Sequence, residues 1–405
     1  MLRRAKGGEP MLKGHIHPDF WGVAQTFSSI VERANGGGAA VCVYHQGERV
    51  VDLWGGFRDE AGHPWESDTL ALSYSTTKGV ASTLLHILAD RDLVDYDQPV
   101  SRYWPEFAQA GKEQITVRQL MGHQAGLYDI RSMISEAKQM LDWGGMVDAL
   151  AASQPVHTPG AAEGYHGLTY GWLVGELVQR LTGQTFAEAL ESEIAQPLGL
   201  EGLYCGLPED RLDRRAHLID QGIQRGGPAL ARAKRIGKFV NRGFALARIS
   251  VDLRNLAAAL LPAGMEQLDF NSEELVRASI PAANGMFDAR SLARLYALLA
   301  NGGELDGVRL LSERTVNRAN TIQSRRRDRV VPFPMHWRLG YHRAPVAKPL
   351  PNAFGHAGFG GSGAWADPDR RLAVALVLNS GVGTPFGDLR IVRIGNAAVR
   401  CAERR

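Results

Sequence analysis

The chain has only three cysteines, Cys42, Cys205 and Cys401, an odd number set far apart. That spacing supports neither a disulfide framework nor a cysteine metal site. Long hydrophobic runs are also missing. The longest, Leu372 to Leu378, is far short of the ~20 residues that a membrane span needs. Charge of one sign is scarce: 46 Lys and Arg face 43 Asp and Glu, a net charge of +3 that gives no electrostatic footprint for nucleic acid. The basic run Arg325-Arg326-Arg327 is interrupted by Asp328 and carries no interleaved aromatics, so it reads as a solvated loop. Low-complexity tracts and internal repeats are absent. The basic start (Arg3, Arg4, Lys6) leads into no apolar stretch before the helix-like region 20–33, which argues against a signal peptide. A reducing, cytoplasmic setting is expected. His15-Ile16-His17 has no acidic or Cys/His cluster beside it, so neither a metal nor a cofactor is expected.

What remains is an ordinary globular composition, 44% hydrophobic and 22% charged over 405 residues, enough to bury a sizeable core. Two hairpins stand out. Ala39 to Tyr44 turns at Gln46-Gly47-Glu48 into Arg49 to Trp54; Ser362 to Ala366 turns at Asp367-Pro368-Asp369-Arg370 into Leu372 to Leu378. Between these β-rich ends the patterns are mostly helical, at 76–90, 116–122, 145–152, 169–181, 185–195 and 289–301. The last stops at Asn301-Gly302-Gly303. This predicts an α+β protein whose antiparallel sheet is completed by both chain ends and flanked by helices, with a mostly helical domain inserted. The sheet domain is assigned to 1–72 and 275–405, with 1–19 as an N-terminal arm. The helical domain is assigned to 73–274, and its variable region 205–270 reads as loops or a lid.

Ser75-Thr76-Thr77-Lys78 opens what reads as a long amphipathic helix. Positions three apart share a helix face, so the Lys78 amine can lie beside the Ser75 hydroxyl, and helix-start N–H groups point toward it. A nucleophile, a proton acceptor and oxyanion donors are what acyl transfer requires. The same spacing recurs at Ser135-Glu136-Ala137-Lys138, in a segment that reads as an ordinary helix surface. Tyr165 sits in a loop rich in Gly and Pro (159–167) where a catalytic group can be held; Tyr170, inside the following helix pattern, reads as core. In 355–363, Gly358, Gly360 and Gly363 mimic a dinucleotide fingerprint, and Gly361-Ser362-Gly363 mimics a nucleophile elbow. No helix follows either one. A strand of small residues, open to close approach by a substrate, is the reading left.

Together, Ser75-x-x-Lys78, the loop Tyr165 and His356-Ala357-Gly358 resemble the serine β-lactamase and penicillin-binding superfamily. The flanking 120–127 and Asn284-Gly285-Met286-Phe287 agree. The segment 159–171 looks most like family VIII carboxylesterases, which share the class C β-lactamase fold. The resemblance implies Ser75, Lys78 and Tyr165 as catalytic groups, with either Lys78 or Tyr165 as the base. It further implies the backbone N–H groups of Ser75 and Phe359 as the oxyanion hole, and His356 and Gly358 as substrate-binding. Two departures weaken recognition of an anionic lactam: Gly167 stands where those lactamases carry an Asn amide, and His356 where they carry a Lys. A small neutral ester needs neither. An acyltransferase, residual β-lactamase activity and a non-catalytic binding module are the alternative expectations.

Overall fold

The computed structural model describes residues 12–219, 252–381 and 388–405. Its main sheet has seven antiparallel strands: β1 (Lys13–Ile16), β2 (Gly38–His45), β3 (Glu48–Gly56), β9 (His342–Arg343), β10 (Phe354–Ala357), β11 (Gly363–Asp367) and β12 (Leu372–Leu378). Their order is β1-β3-β2-β12-β11-β10-β9. The two chain ends meet at the sheet centre, where β12 pairs with β2 and Val374 faces Val43. The remaining strands, β4 (Ala71–Leu72), β5 (Leu203–Tyr204), β6 (Met286–Phe287) and the short β7–β8 hairpin (Glu304–Leu305, Val308–Arg309), lie outside it.

Strand periodicity explains the layers. Ala40, Cys42 and Tyr44 of β2, with Ala373, Ala375 and Val377 of β12, join one core with the Ala289–Ala300 helix. The alternate residues Ala39, Val41, Val43, Leu372, Val374 and Leu376 join a second core with α1 (Trp21–Val31) and the Arg390–Ala402 helix. A strand covered on both faces has no polar side to show, so β12 reads as a continuous apolar run.

The helix behind Ser75, α2 (Thr77–Asp90), departs from the amphipathic expectation: every residue from Thr77 to Leu88 is buried. Its polar side chains are satisfied internally. Ser82 meets the Tyr170 hydroxyl at 2.7 Å, Thr83 the Tyr341 hydroxyl at 2.7 Å, and His86 the Tyr96 hydroxyl at 2.7 Å and the Leu339 carbonyl at 2.9 Å. Buried polar groups keep their place through such partners, and a stripe pattern cannot reveal them. Ser135 also departs from the expected helix surface. It lies in a bend before a 3-10 turn (Ala137–Leu141), its hydroxyl donating to Gln139 at 2.9 Å, and the nearby Lys138 pairs with Glu274. In 355–363 the strand stops at Ala357, and Gly358–Ser362 forms the turn into β11. Of the region 205–270, residues 220–251 lie outside the described residues. Beyond them stands a Leu253–Leu260 helix.

Candidate active site

β4 delivers the chain to Ser75 through an unusual backbone. Tyr74 sits at φ +46, a left-handed conformation that costs a bulky residue roughly 1–3 kcal/mol. The surroundings hold it there. The Ser73 N–H donates to the Gly285 carbonyl at 2.8 Å, the Gly285 N–H to Thr77 Oγ1 at 2.9 Å, and the Tyr74 ring packs on Phe270 and Phe359. Ser75 follows within the 3-10 turn Tyr74–Thr76, half-buried and one turn ahead of Lys78.

Lys78 Nζ lies 3.0 Å from Ser75 Oγ, 2.7 Å from the Gly167 carbonyl and 2.9 Å from the Ala282 carbonyl. It is buried, and burial pushes its amine well below the ordinary lysine range. A neutral amine has two N–H donors and one lone pair. The two carbonyls can only accept, so they take both donors and leave the lone pair for the Ser75 O–H. Tyr165 completes the group, its hydroxyl donating to Ser75 Oγ at 2.8 Å. Burial raises the phenol far above its usual range, which holds the proton on oxygen.

The structure thus brings Ser75, Lys78 and Tyr165 together. Gly358 and Phe359 arrive from the β10–β11 turn, clamped to the Ser75 segment by the Ser362 hydroxyl donating to the Ser73 carbonyl at 3.0 Å. A Cβ at Gly358 would stand 2.3 Å from that carbonyl, so the approach requires glycine. Phe359 is the first residue of its 3-10 turn and Ser75 the second of its own, positions where first-turn N–H groups lack helical partners. His356 is buried behind Tyr165. Its Nδ1 donates to the Ala357 carbonyl at 3.0 Å, its Nε2 has no protein partner, and burial pushes its pKa well down, so it stands as a neutral acceptor.

Asp328 is the residue that sequence reasoning missed. Arg325, Arg326 and Arg327 are exposed, but Asp328 is only 5% exposed. Its Oδ1 accepts the Tyr165, Val330 and Val331 N–H groups at 3.2, 2.7 and 3.0 Å. Its Oδ2 accepts the Trp337 indole at 2.8 Å, and that ring stacks on Tyr165 with a 10° interplanar angle. The carboxylate therefore fixes both the backbone and one face of Tyr165. The nearest sequence signal is Asp328 breaking a basic run, which does not point to this role.

His123 and His166 support Tyr165 from another side. The Leu127 N–H donates to His166 Nε2 at 3.1 Å, so the His166 proton sits on Nδ1 and points at His123 Nδ1, 3.1 Å away. Burial lowers both pKa values, that of His166 to about 3. Burial thus favours the neutral forms of Lys78, Tyr165, His123, His166 and His356 around the Ser75 hydroxyl, with the Asp328 carboxyl group behind Tyr165. Among the described residues there is no group of His, Cys, Asp and Glu that could hold a metal ion, and no helix long and apolar enough to cross a membrane.

A serine hydroxyl 3.0 Å from a buried amine thus lies at the border of an antiparallel sheet and a helical region, on a β-lactamase-like fold. The chain belongs to the Beta-lactamase family, whose model matches residues 23–399. Among its relatives, "Esterase/beta-lactamase LipL" of Mycobacterium tuberculosis is 38% identical over 374 residues, 90% of this chain and 82% of that protein. Two solved structures are similar at a TM-score of 0.83 and 35% identity, covering 96% of this chain and 99% of theirs: a family VIII carboxylesterase and a penicillin-binding protein homologue from Caulobacter crescentus. The relatives are of the esterase and β-lactamase type of hydrolase.

Proposed function

We propose that the chain is a serine carboxylesterase of the family VIII kind, cleaving small neutral esters through a Ser75 acyl-enzyme. The observation that carries this is the contact set of Lys78 Nζ, two backbone carbonyls at 2.7 and 2.9 Å and Ser75 Oγ at 3.0 Å; in the neutral amine that burial favours, the carbonyls take the two donors and the lone pair faces the Ser75 hydroxyl. Ser75 Oγ attacks the ester carbonyl as its proton passes to Lys78. The carbonyl oxygen becomes an oxyanion, held by the Ser75 and Phe359 N–H groups. When the intermediate collapses, the C–O bond to the alcohol breaks, and the leaving alkoxide takes a proton from the Lys78–Tyr165 pair. Water then attacks the acyl-enzyme by the same route, releasing the acid and restoring Ser75.

Esters are favoured over anionic lactams because positions 356 and 167 supply neither a fixed cation nor a side-chain amide. His356 is neutral and Gly167 offers no side-chain amide. The substrate is a small molecule, with no nucleic acid, metal or cofactor taking part. Three buried, unpaired cysteines suit a cytoplasmic setting. The test is hydrolysis of p-nitrophenyl acetate, butyrate and octanoate beside a chromogenic cephalosporin, by wild type and Ser75→Ala. Ester turnover that disappears in the variant, with at most weak cephalosporin turnover, supports the proposal. Cephalosporin turnover exceeding ester turnover contradicts it.

A further inference from the structure

Gly167 connects the reacting groups to a helix that the proposed chemistry does not use. Its carbonyl accepts the Lys78 amine at 2.7 Å, which fixes the backbone at this point. A Cβ on Gly167 would stand 2.3 Å from Leu260 Cδ2 and 2.8 Å from the Ala259 carbonyl. The Leu253–Leu260 helix thus fills the space that a side chain at position 167 would occupy. Leu260 and Leu256, both half-buried, pack against an apolar cluster of Tyr165, Trp337, Val330 and Val331. This cluster is separate from the two cores of the sheet.

The helix is anchored along its length. Asp252 caps its start by accepting the Arg254 and Asn255 N–H groups at 3.0 and 3.2 Å, and Asn255 donates to the Arg329 carbonyl at 3.1 Å. Beyond its end, Arg131 holds the Leu261 carbonyl at 2.5 Å. Leu260 is therefore a fixed, partly open hydrocarbon wall, one side chain away from the residue that holds the Lys78 amine. An amide or a charge placed against it would lose water and gain no partner.

We propose that Leu260 is a specificity-determining residue, and that it selects esters carrying an apolar, uncharged limb on the Gly167 side of Ser75. This rests on the serine-esterase reading above and adds to it the chemistry of one substrate limb. That limb is either the acyl chain or the alcohol, and the two are separated by experiment. The acyl series is p-nitrophenyl acetate, butyrate and octanoate. The alcohol series is methyl, butyl and octyl acetate. Values of kcat/KM for wild type, Leu260→Ala and Leu260→Trp are compared in both. In one series, Leu260→Ala should raise the long-to-short ratio by roughly tenfold, the scale of a methylene-sized change in an apolar pocket, and Leu260→Trp should lower it. The other series should hold its ratios.

Long-to-short ratios within twofold of wild type in both series, for both variants, would overturn the proposal. Fluorophosphonate labelling of each protein, read by intact mass, reports separately whether Ser75 remains competent. A wild type that neither labels nor turns over ester removes the esterase reading itself. Should Leu260→Ala fail to label, Leu260→Val applies the same test with a smaller change.

Discussion

The carboxylate of Asp328 accepts the backbone N–H of Tyr165 at 3.2 Å, joining positions 163 residues apart in the chain. The same carboxylate orients Trp337 on the face of the Tyr165 ring. Asp328→Asn replaces an oxygen acceptor with a donor in a site that presents four N–H groups. At least one buried donor is then unpaired, at about 1–3 kcal/mol. A lower Tm is expected, together with a fall in kcat larger than the change in KM, because Tyr165 loses its alignment. Unchanged kcat with only a lower Tm would confine Asp328 to folding.

Lys78→Arg places a permanently charged group where a neutral amine is required. General-base catalysis is worth ~10²–10⁴-fold, and a loss of that size in kcat is expected. In the wild type, burial lowers the Lys78 pKa, so the base is neutral above that depressed value and protonated below it. Activity should therefore fall as pH drops through a point well under the ordinary lysine range. The pH profile of kcat/KM checks the sign. An acid limb near pH 10 would exclude Lys78 as a neutral base.

Tyr165→Phe keeps the ring on Trp337 and removes the hydroxyl that donates to Ser75 at 2.8 Å. A decrease in kcat of about 10²-fold is expected, within the range for a proton-transfer group. Fluorophosphonate labelling should persist but slow. Full activity in this variant would remove Tyr165 from the chemistry.

Glu163 is buried near Asp328, and burial with that neighbouring charge pushes its pKa up to about 7. A carboxyl whose folded pKa is raised binds more protons when folded, between the ordinary carboxyl range and pH 7. Its contribution to stability is present below that window and is lost as pH rises through 7. Glu163→Gln lacks this loss, so its Tm relative to wild type should climb by the equivalent of roughly 1–2 kcal/mol from pH 5 to pH 8 and then level off. A pH-independent difference would refute the buried, protonated carboxyl.

Much of the fold is readable in the sequence because its signals are local. The β2–β3 and β11–β12 hairpins each lie within one short segment whose turn chemistry and alternation are self-contained. Ser75 and Lys78 are three positions apart, in a 3-10 turn that runs directly into α2, so spacing alone implies their contact. The rest depends on distant partners. Asp328 looks like a solvated charge until Tyr165 and Trp337 are beside it. The polar residues of α2 suggest an exposed face until Tyr96, Tyr170 and Tyr341 close over them. Position 167 shows only that a side chain is missing, and the Leu260 that fills its space is 93 residues further on. Ser135 shows the converse, since a matching spacing without a helix and a burial site yields only a local hydrogen bond.

The most direct test of the acyl-enzyme mechanism is whether Ser75 is covalently modified. Wild type and Ser75→Ala would each be treated with a fluorophosphonate, the intact mass read, and the adduct located by peptide mapping. One adduct per chain on Ser75 is expected in the wild type and none in the variant, with p-nitrophenyl butyrate hydrolysis lost in parallel. No adduct in the wild type, or equal labelling of the variant at another residue, would contradict the acyl-enzyme and favour a non-catalytic binding role for the fold.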